Sequence, residues 1–455
     1  MITVVLAAVA LVVLALTVVM KPHHRLYVAA FLAVPQVHLP GFPASIFQMW
    51  MIIILVLTFI EPSNRSPIRR IEIPVGLLAI VTFLYVFVSA QPTSALLIGS
   101  QLLAFLAFLR LGHAVGVESR HIYRAASLVA FWVVVEALMA IAFHLRPAWE
   151  IDFMRTLLAD VFVGPSAQAL FTTGPNNVLD PLKAGGLFVN GNVASMFLGT
   201  AALVFVAVAL HFRRAWAGWV AALAALGVLA TGSKTGLLLL ILLPIAAALL
   251  VVASGRAGVL AAAALLPALV AVGLAIPPFL STRFPQYFSE LDASAADRAP
   301  LWRAAWQLFG EQPLVGLGYG NWAEHAEAAV GRTIPPHNLL LASWVNTGIV
   351  GLILTIAIIT TVTVAGAVAL ARTAERRQRA TIACALVATW WVFLHGMADN
   401  TTVYGEMKSM VLVALAIMLM DLPAREPETD DPKLSRRRVS GTQPPARYPP
   451  ARKPL

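Results

Sequence analysis

The residues best suited to chemistry lie in one stretch of the chain, DRAPLWRAAWQLFGEQPLVGLGYGNWAEHAEAAVGRTIPPHNLLLASWVNTGIVG, from Asp297 to Gly351. His337 follows two prolines that stiffen its approach, and the next residue, Asn338, begins an apolar run. Histidine has an unperturbed pKa of about 6.5, so it can act as a general base near neutral pH. Arg298 opens the stretch, and arginine stabilises phosphate charge without a metal. The stretch therefore combines a proton acceptor with an anion-binding cation.

Metal and thiol chemistry have no support in the sequence. There is no D-x-D pair in the predicted outer loops, no H-E-x-x-H and no cysteine cluster. Cys384 is the only cysteine, so no intrachain disulfide forms and the redox compartment is not indicated. The sequence predicts neither a metal site nor a cofactor.

The composition places these residues in a membrane protein. The chain has 455 residues, of which 59% are hydrophobic and 12% charged, too few charges for a soluble protein. Many apolar runs reach the roughly 18–20 residues that cross a bilayer, and their lack of alternation excludes an outer-membrane barrel. The net charge of +10 does not indicate nucleic acid, because the basic residues occupy short loops and the tail.

The sequence predicts an all-α, polytopic inner-membrane protein with about 12–14 transmembrane helices. The first, 1–20, lacks a basic start and a cleavage site and is interpreted as a retained span. The predicted spans are 1–20, 25–40, 45–60, 74–90, 93–110, 121–144, 190–211, 215–231, 234–253, 257–278, 338–371, 380–397 and 402–421. Residues 1–421 form one integral membrane domain in this interpretation, and 422–455 form a disordered basic tail.

Basic residues mark alternate loops, and these loops are predicted to be cytoplasmic. They are Lys21, Arg25, Arg65, Arg69, Arg70, Arg110, Arg120, Arg124, Arg213, Arg214, Arg256, Arg372, Arg376, Arg377 and Arg379. The intervening loops near 36–45, 91–92 and 398–403 contain no lysine or arginine. The tail is then cytoplasmic, and the long loops 145–189 and 279–337 both face the periplasm, where their polar residues can meet.

The larger outer loop is predicted to contain an amphipathic helix at the membrane surface. Leu301, Ala305, Leu308 and Phe309 recur at helical spacing, and Trp302 and Trp306 lie one turn apart. The predicted boundaries are an N-cap at Asp297, with Pro300 in the first turn, and a stop at Gly310.

Three motifs in this chain resemble those of the O-antigen ligase and polymerase superfamily. The first is R-x-x-x-W, then P-L-V-G-L-G-Y-G-N-W, P-H-N-x-x-L and G-x-x-G, carried here by Arg298, Trp302, Pro313, Gly316, Gly318, Gly320, His337, Asn338, Leu341, Gly348 and Gly351. GGLFVNGNVAS, from Gly185 to Ser195, is similar to the family's Gly-Phe-Asn-Asn entry into a central span. TGSKTG, from Thr231 to Gly236, is similar to its S-(R/K)-(T/S) turn.

The resemblance implies a metal-independent, inverting GT-C-type glycosyltransferase. Such an enzyme moves a glycan from undecaprenyl diphosphate to an acceptor hydroxyl on the outer face of the cytoplasmic membrane. The acceptor is lipid A–core in the ligases and another lipid-linked repeat unit in the polymerases. The family's histidine maps onto His337 and its diphosphate-binding arginine onto Arg298. The second family cation is usually arginine, and here Lys183 and Lys234 are the candidates, although Lys234 is equally suited to capping a turn.

Other polar residues have two interpretations each. Trp302, Tyr319, Asn321, Trp322 and Asn338 either contact the glycan or acceptor, or anchor the outer loop. Asp399 and Asn400, in the last outer turn, either orient His337 or end a span.

The main alternative of another class is a lipid-linked glycan flippase. A flippase is expected to bury charges along several spans, whereas the spans here are nearly free of charge, with Glu136, Glu406 and Lys408 as exceptions. The polar residues lie instead in two outer loops, which favours chemistry at the surface. Within the superfamily, ligase and polymerase share the same motifs and both stay open. The expected partners are the lipid-linked donor, the acceptor and membrane lipids, without nucleic acid.

Overall fold

The computed structural model describes residues 13–38, 44–61, 67–115, 118–171, 180, 182–283 and 293–423, and within them the chain is helical. Its helices are α1 Pro22–Leu32, α2 Ile46–Ile60, α3 Glu72–Leu84, α4 Pro92–Ala114, α5 Ser119–Leu145, α6 Pro147–Met154, α7 Leu157–Phe162, α8 Pro165–Ala169, α9 Gly191–Phe212, α10 Ala215–Ala230, α11 Lys234–Val252, α12 Gly255–Arg283, α13 Ala293–Glu311, α14 Ala323–Val330, α15 Leu339–Arg372, α16 Arg376–Gly396 and α17 Met410–Met420. Short 3₁₀ turns follow α3 and precede α17.

The helix lengths confirm a polytopic membrane architecture. Seven helices of the described ranges are long and apolar enough to cross a membrane, namely α4, α5, α9, α11, the first part of α12, α15 and α16. Four shorter apolar helices accompany them, and the same ranges contain isolated β-bridges in place of strands. The all-α prediction is confirmed, while the exact span count stays a prediction. Residues 1–422 form one compact unit, and the predicted tail lies outside the described residues beyond Pro423.

The centre of the bundle is the contact of α9 with α10 and α16. Helix α16 is buried along almost its whole length, including Trp390 and Trp391. Gly199 of α9 leaves room for the Trp391 ring, since a Cβ at this position would lie 1.9 Å from the ring. This close packing fixes α16, whose last turn leads into the site.

Polar contacts collect at two ends of the bundle. At one end, which we call the polar end, the loops around 91, 183–190, 231–234, 313–337 and 398–408 meet: Gln91 N donates to Tyr319 O (2.9 Å), and Lys408 Nζ to Leu187 O (2.6 Å). At the other, the basic end, Arg377 Nε donates to Leu210 O (2.5 Å) and Arg379 NH2 to Ala253 O (2.7 Å). These contacts join each long outer loop to a shorter loop, while the predicted meeting of loops 145–189 and 279–337 with each other stays a prediction. The side of the membrane that each end faces stays a prediction.

Helix α13 confirms the predicted apolar face and corrects the predicted start. Leu301, Ala305 and Leu308 are buried, as their spacing indicates. The helix begins at Ala293, so Asp297 is not its N-cap and Pro300 lies inside it. The sequence Ala-Ser-Ala-Ala before Asp297 favours helix, so the helix begins ahead of Pro300. Because proline has no backbone N–H, the helix loses one backbone hydrogen bond at this position.

The glycine-rich segment after α13 packs into a break in α15. Thr347 and Gly348 have non-helical backbone angles, which leave the Val345 carbonyl free to accept from Leu317 N (2.7 Å) and Gly318 N (3.1 Å). Ile349 N donates in turn to Leu314 O (3.1 Å). The G-x-x-G motif of α15 and the G-x-G motif of the loop are thus two halves of one junction.

Gly316→Ala is expected to destabilise this junction. Gly316 has a φ of +68°, and a Cβ there would lie 2.4 Å from Trp344 O. The left-handed backbone alone costs an alanine roughly 1–2 kcal/mol, and the backbone overlap adds to it. The measurement is the thermal unfolding temperature in lipid nanodiscs. Gly310→Ala is the matched control, because nothing lies within 4 Å of its Cβ position, and equal unfolding temperatures for the two variants would contradict the prediction.

Candidate active site

His337 is held at the point where α15 begins. Asn338 is the N-cap of α15: its Oδ1 accepts from Leu340 N (3.0 Å) and Leu341 N (3.2 Å). The Asn338 Nδ2 donates to Met397 O (3.3 Å), which joins the start of α15 to the end of α16. His337 itself has a φ of +50°, an uncommon backbone conformation for a residue other than glycine. The cap and this turn place the imidazole beside the loop that follows α16.

Asp399 faces His337 from that loop. Its Oδ1 lies 3.4 Å from His337 Nδ1, and its side chain is 8% exposed against 22% for the histidine. Burial by itself would raise the pKa of Asp399, but the imidazoles of His337 and His395 lower it below its ordinary range. An ionised carboxylate beside Nδ1 favours the tautomer that carries its proton there. Nε2 of His337 is then the nitrogen that can accept a proton.

His395 completes the group from the last turn of α16. Its Nε2 lies 3.8 Å from Asp399 Oδ2, and its side chain is fully buried. Asp399 therefore lies between two imidazoles, one buried and one partly exposed. Of the two imidazoles, only that of His337 is within reach of solvent or substrate.

Two tryptophans hold the backbone ahead of His337. Trp302 Nε1 donates to Pro336 O (2.8 Å), and Trp322 Nε1 donates to Ile334 O (2.9 Å). Both rings are buried, whereas Trp306, one turn after Trp302, is 68% exposed. Arg298 lies one helical turn before Trp302 on α13 and is half-buried. Trp302 therefore brings the arginine-bearing turn of α13 to the loop that carries His337.

The two candidate lysines lie in adjoining turns of the polar end. Lys183 Nζ donates to Gly232 O (3.0 Å), and Ala184 N donates to Thr231 O (3.4 Å). Lys234 is the first residue of α11 and is exposed. The positive end of the α11 dipole adds to the charge of these lysines. Lys183 thus supports the turn that precedes Lys234.

Buried carboxylates and one lysine brace the neighbouring GGLFVNG loop. Glu150 Oε1 accepts from Gly185 N (2.6 Å) and Gly186 N (3.1 Å). Glu136 Oε2 accepts from Leu187 N (2.7 Å), and Lys408 Nζ donates to Leu187 O. The charges of α5 and of the 3₁₀ turn before α17 therefore bind backbone at the polar end. They do not form a series along a central path, which a flippase would need.

Glu150 gives the loop a pH dependence. Burial raises the pKa of Glu150 from its ordinary 4.5 to about 7, although the amides of Gly185 and Gly186 lower it. Between these values the folded chain binds more protons than the unfolded chain, so stability falls as pH rises towards 7. Glu150→Gln keeps an acceptor oxygen and removes this loss.

We expect the free energy of unfolding of Glu150→Gln, relative to wild type, to increase between pH 5 and pH 8 by an amount on the order of 1–3 kcal/mol, with a corresponding rise in its relative unfolding temperature. Thermal unfolding in nanodiscs at several pH values measures it. The exposed Glu324→Gln is the control, and parallel profiles for Glu150→Gln and wild type would contradict the assignment.

A cavity of about 510 Å³ opens beside these elements. Pro335 and Pro336, which precede His337, line one wall, and Asn400, which follows Asp399, lines another. The remaining polar lining consists mainly of neutral groups: Thr82, Gln91, Ser94, Gln101, Tyr319, Trp322, Thr333, Ser343, Asn346, Thr347, Thr355, Thr401, Thr402 and Tyr404. Within the described lining, Glu406 is the one carboxylate and there is no lysine, arginine or histidine. A cavity of this size and character fits sugar residues.

Tyr319 and Asn321 support one edge of this cavity. Tyr319 N donates to Ser89 Oγ (2.9 Å), and burial raises the pKa of its phenol to about 12, so it stays protonated and can donate. Asn321 Nδ2 donates to Leu317 O (2.5 Å) and Val88 O (3.3 Å), which fixes the glycine-rich turn. Tyr319 and Trp322 line the cavity, whereas the Asn321 and Asn338 amides bind backbone. Their predicted contacts with glycan or acceptor stay predictions.

Residues 219–356 match the family model described as O-antigen ligase. This match supports the resemblance of the chain to the O-antigen ligase and polymerase superfamily. The matched region runs from α10 into α15 and includes Lys234, Arg298 and His337. No curated protein matches the chain.

The match and the apolar helices together support a multi-pass membrane enzyme of polysaccharide biosynthesis with glycosyltransferase-like activity in general. Lipid-linked glycans and membrane lipids are the general classes of partner. Among the residues that the structure describes, no group of three or more His, Cys, Asp or Glu side chains is arranged to hold a metal. Metal independence stays a prediction.

Sequence reasoning missed two residues of this candidate site. His395 has a sequence signal in its i,i+4 spacing to Asp399, which puts both side chains on one face if the helix continues. Glu150 has a weaker one, as an acidic residue directly after the apolar span of α5. Its contact with Gly185 and Gly186 depends on the tertiary fold, which spacing alone does not indicate.

Proposed function

We propose that the chain transfers a glycan from undecaprenyl diphosphate to an acceptor hydroxyl, lipid A–core or another cell-surface acceptor, at the outer face of the cytoplasmic membrane. His337 is the general base, and Arg298, Lys234 and Lys183 bind the diphosphate. The observation that carries the proposal is the His337–Asp399 pair, at 3.4 Å, beside a cavity with neutral polar walls. A base held by a carboxylate at the edge of a sugar-sized cavity suits transfer to a hydroxyl.

The reaction is a single displacement. The acceptor oxygen attacks the anomeric carbon while its proton passes to His337 Nε2. The bond from the anomeric carbon to the diphosphate oxygen breaks, and its electron pair stays on the diphosphate, so the configuration inverts. The leaving diphosphate is a stable anion that needs cations and no general acid, which is why arginine and lysine are the residues assigned to it.

The neutral cavity is assigned to sugar and the cations to the diphosphate. The cavity lining offers hydroxyls and amides, which bind sugar hydroxyls, and aromatic faces at Tyr319 and Trp322. Lys183 and Lys234 lie in the turns around α11, and Arg298 lies on α13. In this proposal the cavity binds the sugar part of the donor, and the cationic residues around α11 and on α13 bind its diphosphate.

The experiment measures glycan transfer by the purified full chain. The donor is a glycan linked to undecaprenyl diphosphate, and the acceptor is lipid A–core or, in a separate reaction, a second lipid-linked repeat unit. Transfer to lipid A–core supports the ligase, and chain extension supports the polymerase. EDTA is expected to leave either activity intact, and a loss that Mg²⁺ or Mn²⁺ restores would contradict metal independence. Failure to transfer to both acceptors, together with movement of the lipid-linked glycan across vesicles, would favour the flippase.

A further inference from the structure

A second cavity lies at the basic end, far along the bundle from the proposed active site. It has a volume of about 700 Å³ and lies between the residues preceding α3, the second half of α15 and the end of α17. Three arginines line it, Arg69, Arg70 and Arg372, against one carboxylate, Asp421. We call it the arginine groove.

The charge of the arginine groove is not balanced by its own lining. Arg69 is paired with Asp421, and both are partly exposed. Arg70, at the entrance to α3, and Arg372, in the last turn of α15, are exposed. The groove therefore presents a net positive charge to an incoming ligand. The planar fork of arginine matches the paired oxygens of a phosphate or a carboxylate, and a halide offers no such pair.

The rest of the groove is apolar. Val364 and Val368 of α15 and Ile417 of α17 line it, and Val364 is 46% exposed. Helix α15 is long and apolar enough to cross a membrane, so this wall continues into the hydrocarbon region. A soluble anion would leave the wall uncovered, whereas a molecule with a phosphate at one end and an acyl chain at the other covers both parts.

We propose that the arginine groove binds an anionic glycerophospholipid. Its phosphate pairs with Arg70 and Arg372, and an acyl chain lies along α15 over Val364 and Val368. Basic residues near a bilayer concentrate anionic lipid, and each contributes about a fivefold factor to binding. A zwitterionic lipid has the same chains but no net charge, so charge selects between the two.

The test is native mass spectrometry of the full chain released from mixed micelles that contain phosphatidylglycerol and phosphatidylcholine of the same chain length. Wild type is expected to retain phosphatidylglycerol in preference. The double variant Arg70→Gln/Arg372→Gln is expected to bind it about thirtyfold more weakly, with phosphatidylcholine unchanged. Arg213→Gln/Arg256→Gln is the matched control, because both arginines are exposed and neither lines the groove. Its lipid retention is expected to equal that of wild type.

Three outcomes overturn the proposal. An equal loss of phosphatidylglycerol retention in the two double variants would show that the effect comes from general surface charge. Displacement of the lipid by millimolar inorganic phosphate makes the groove an anion site without a chain-binding wall. Unchanged phosphatidylglycerol retention in Arg70→Gln/Arg372→Gln excludes the groove as the lipid site. The readout needs no glycan transfer, so it is independent of the proposed enzyme activity.

Discussion

His337→Asn and His337→Ala are both expected to lower the rate of glycan transfer by about 10²–10⁴-fold while the protein stays folded. The reason is loss of the general base, because a sugar hydroxyl is a weak nucleophile without one. The asparagine variant is the sharper test, since His337 has a φ of +50° and asparagine tolerates that backbone conformation better than alanine. The measurement is the single-turnover rate with saturating donor, beside the unfolding temperature.

His325→Asn is the matched control for this prediction. His325 belongs to the same outer segment, where its Nδ1 lies 3.3 Å from Asn321 O and its ring stacks on Trp322. Its replacement is expected to change the rate by no more than about threefold, because it lies outside the Asp399 pair. Full activity in both His337 variants would remove the base from the mechanism. Equal losses at His325 and His337 would show that the outer segment had been disrupted.

Asp399→Asn separates positioning from proton transfer. An asparagine still fits beside His337, but its amide NH₂ can also donate to Nδ1 and so favour the other tautomer. The transfer rate is then expected to fall without loss of the fold, and the pH profile to change with it. Such a change in profile distinguishes an orienting role from a packing role, because a lost packing contact lowers the rate equally at all pH values.

The sequence was sufficient for the helical class and the apolar face of α13. Apolar runs and helical spacing depend on local composition, so both features can be predicted without the tertiary fold. The start of α13 was predicted wrongly because Pro300 and Asp297 are standard boundary residues, whereas an alanine-rich approach carried the helix past both. The boundary preferences of Asp297 and Pro300 compete there with the helix propensity of the residues before them, and neither residue alone indicates which effect is larger.

The contacts within the site depend on tertiary structure and were only partly foreseeable. The shared outer side of Asp399 and His337 indicates an orienting role for Asp399, but the distance between them depends on Asn338, which binds Met397 across two helices. The bracing of Gly185 and Gly186 by Glu150 joins residues 35 and 36 positions apart, and no motif marks it. Residue types suggested the chemistry, and helix packing decided which groups work together.

Arg298→Ala is expected to lower kcat/KM for the lipid-linked donor by about 10²–10³-fold, because an electrostatic contact to the developing charge of the leaving diphosphate is lost. Arg298→Lys is expected to recover only part of this, since lysine keeps the charge but lacks the bidentate fork. Arg303→Ala is the matched control: it lies on the same helix, is exposed and lines a separate groove. Unfolding temperatures are compared for all three variants.

The lysines extend the same test to the second cation. Lys234→Ala is expected to reduce kcat/KM without lowering stability, because Lys234 is exposed at the start of α11. Lys183→Ala is expected to lower both, because Lys183 also holds the Gly232 carbonyl. If Arg298→Ala and Arg303→Ala have the same kcat/KM, Arg298 does not bind the diphosphate. If Lys234→Ala instead shows the large loss of kcat/KM that is expected for Arg298→Ala, then Lys234 is the principal diphosphate-binding cation in place of Arg298.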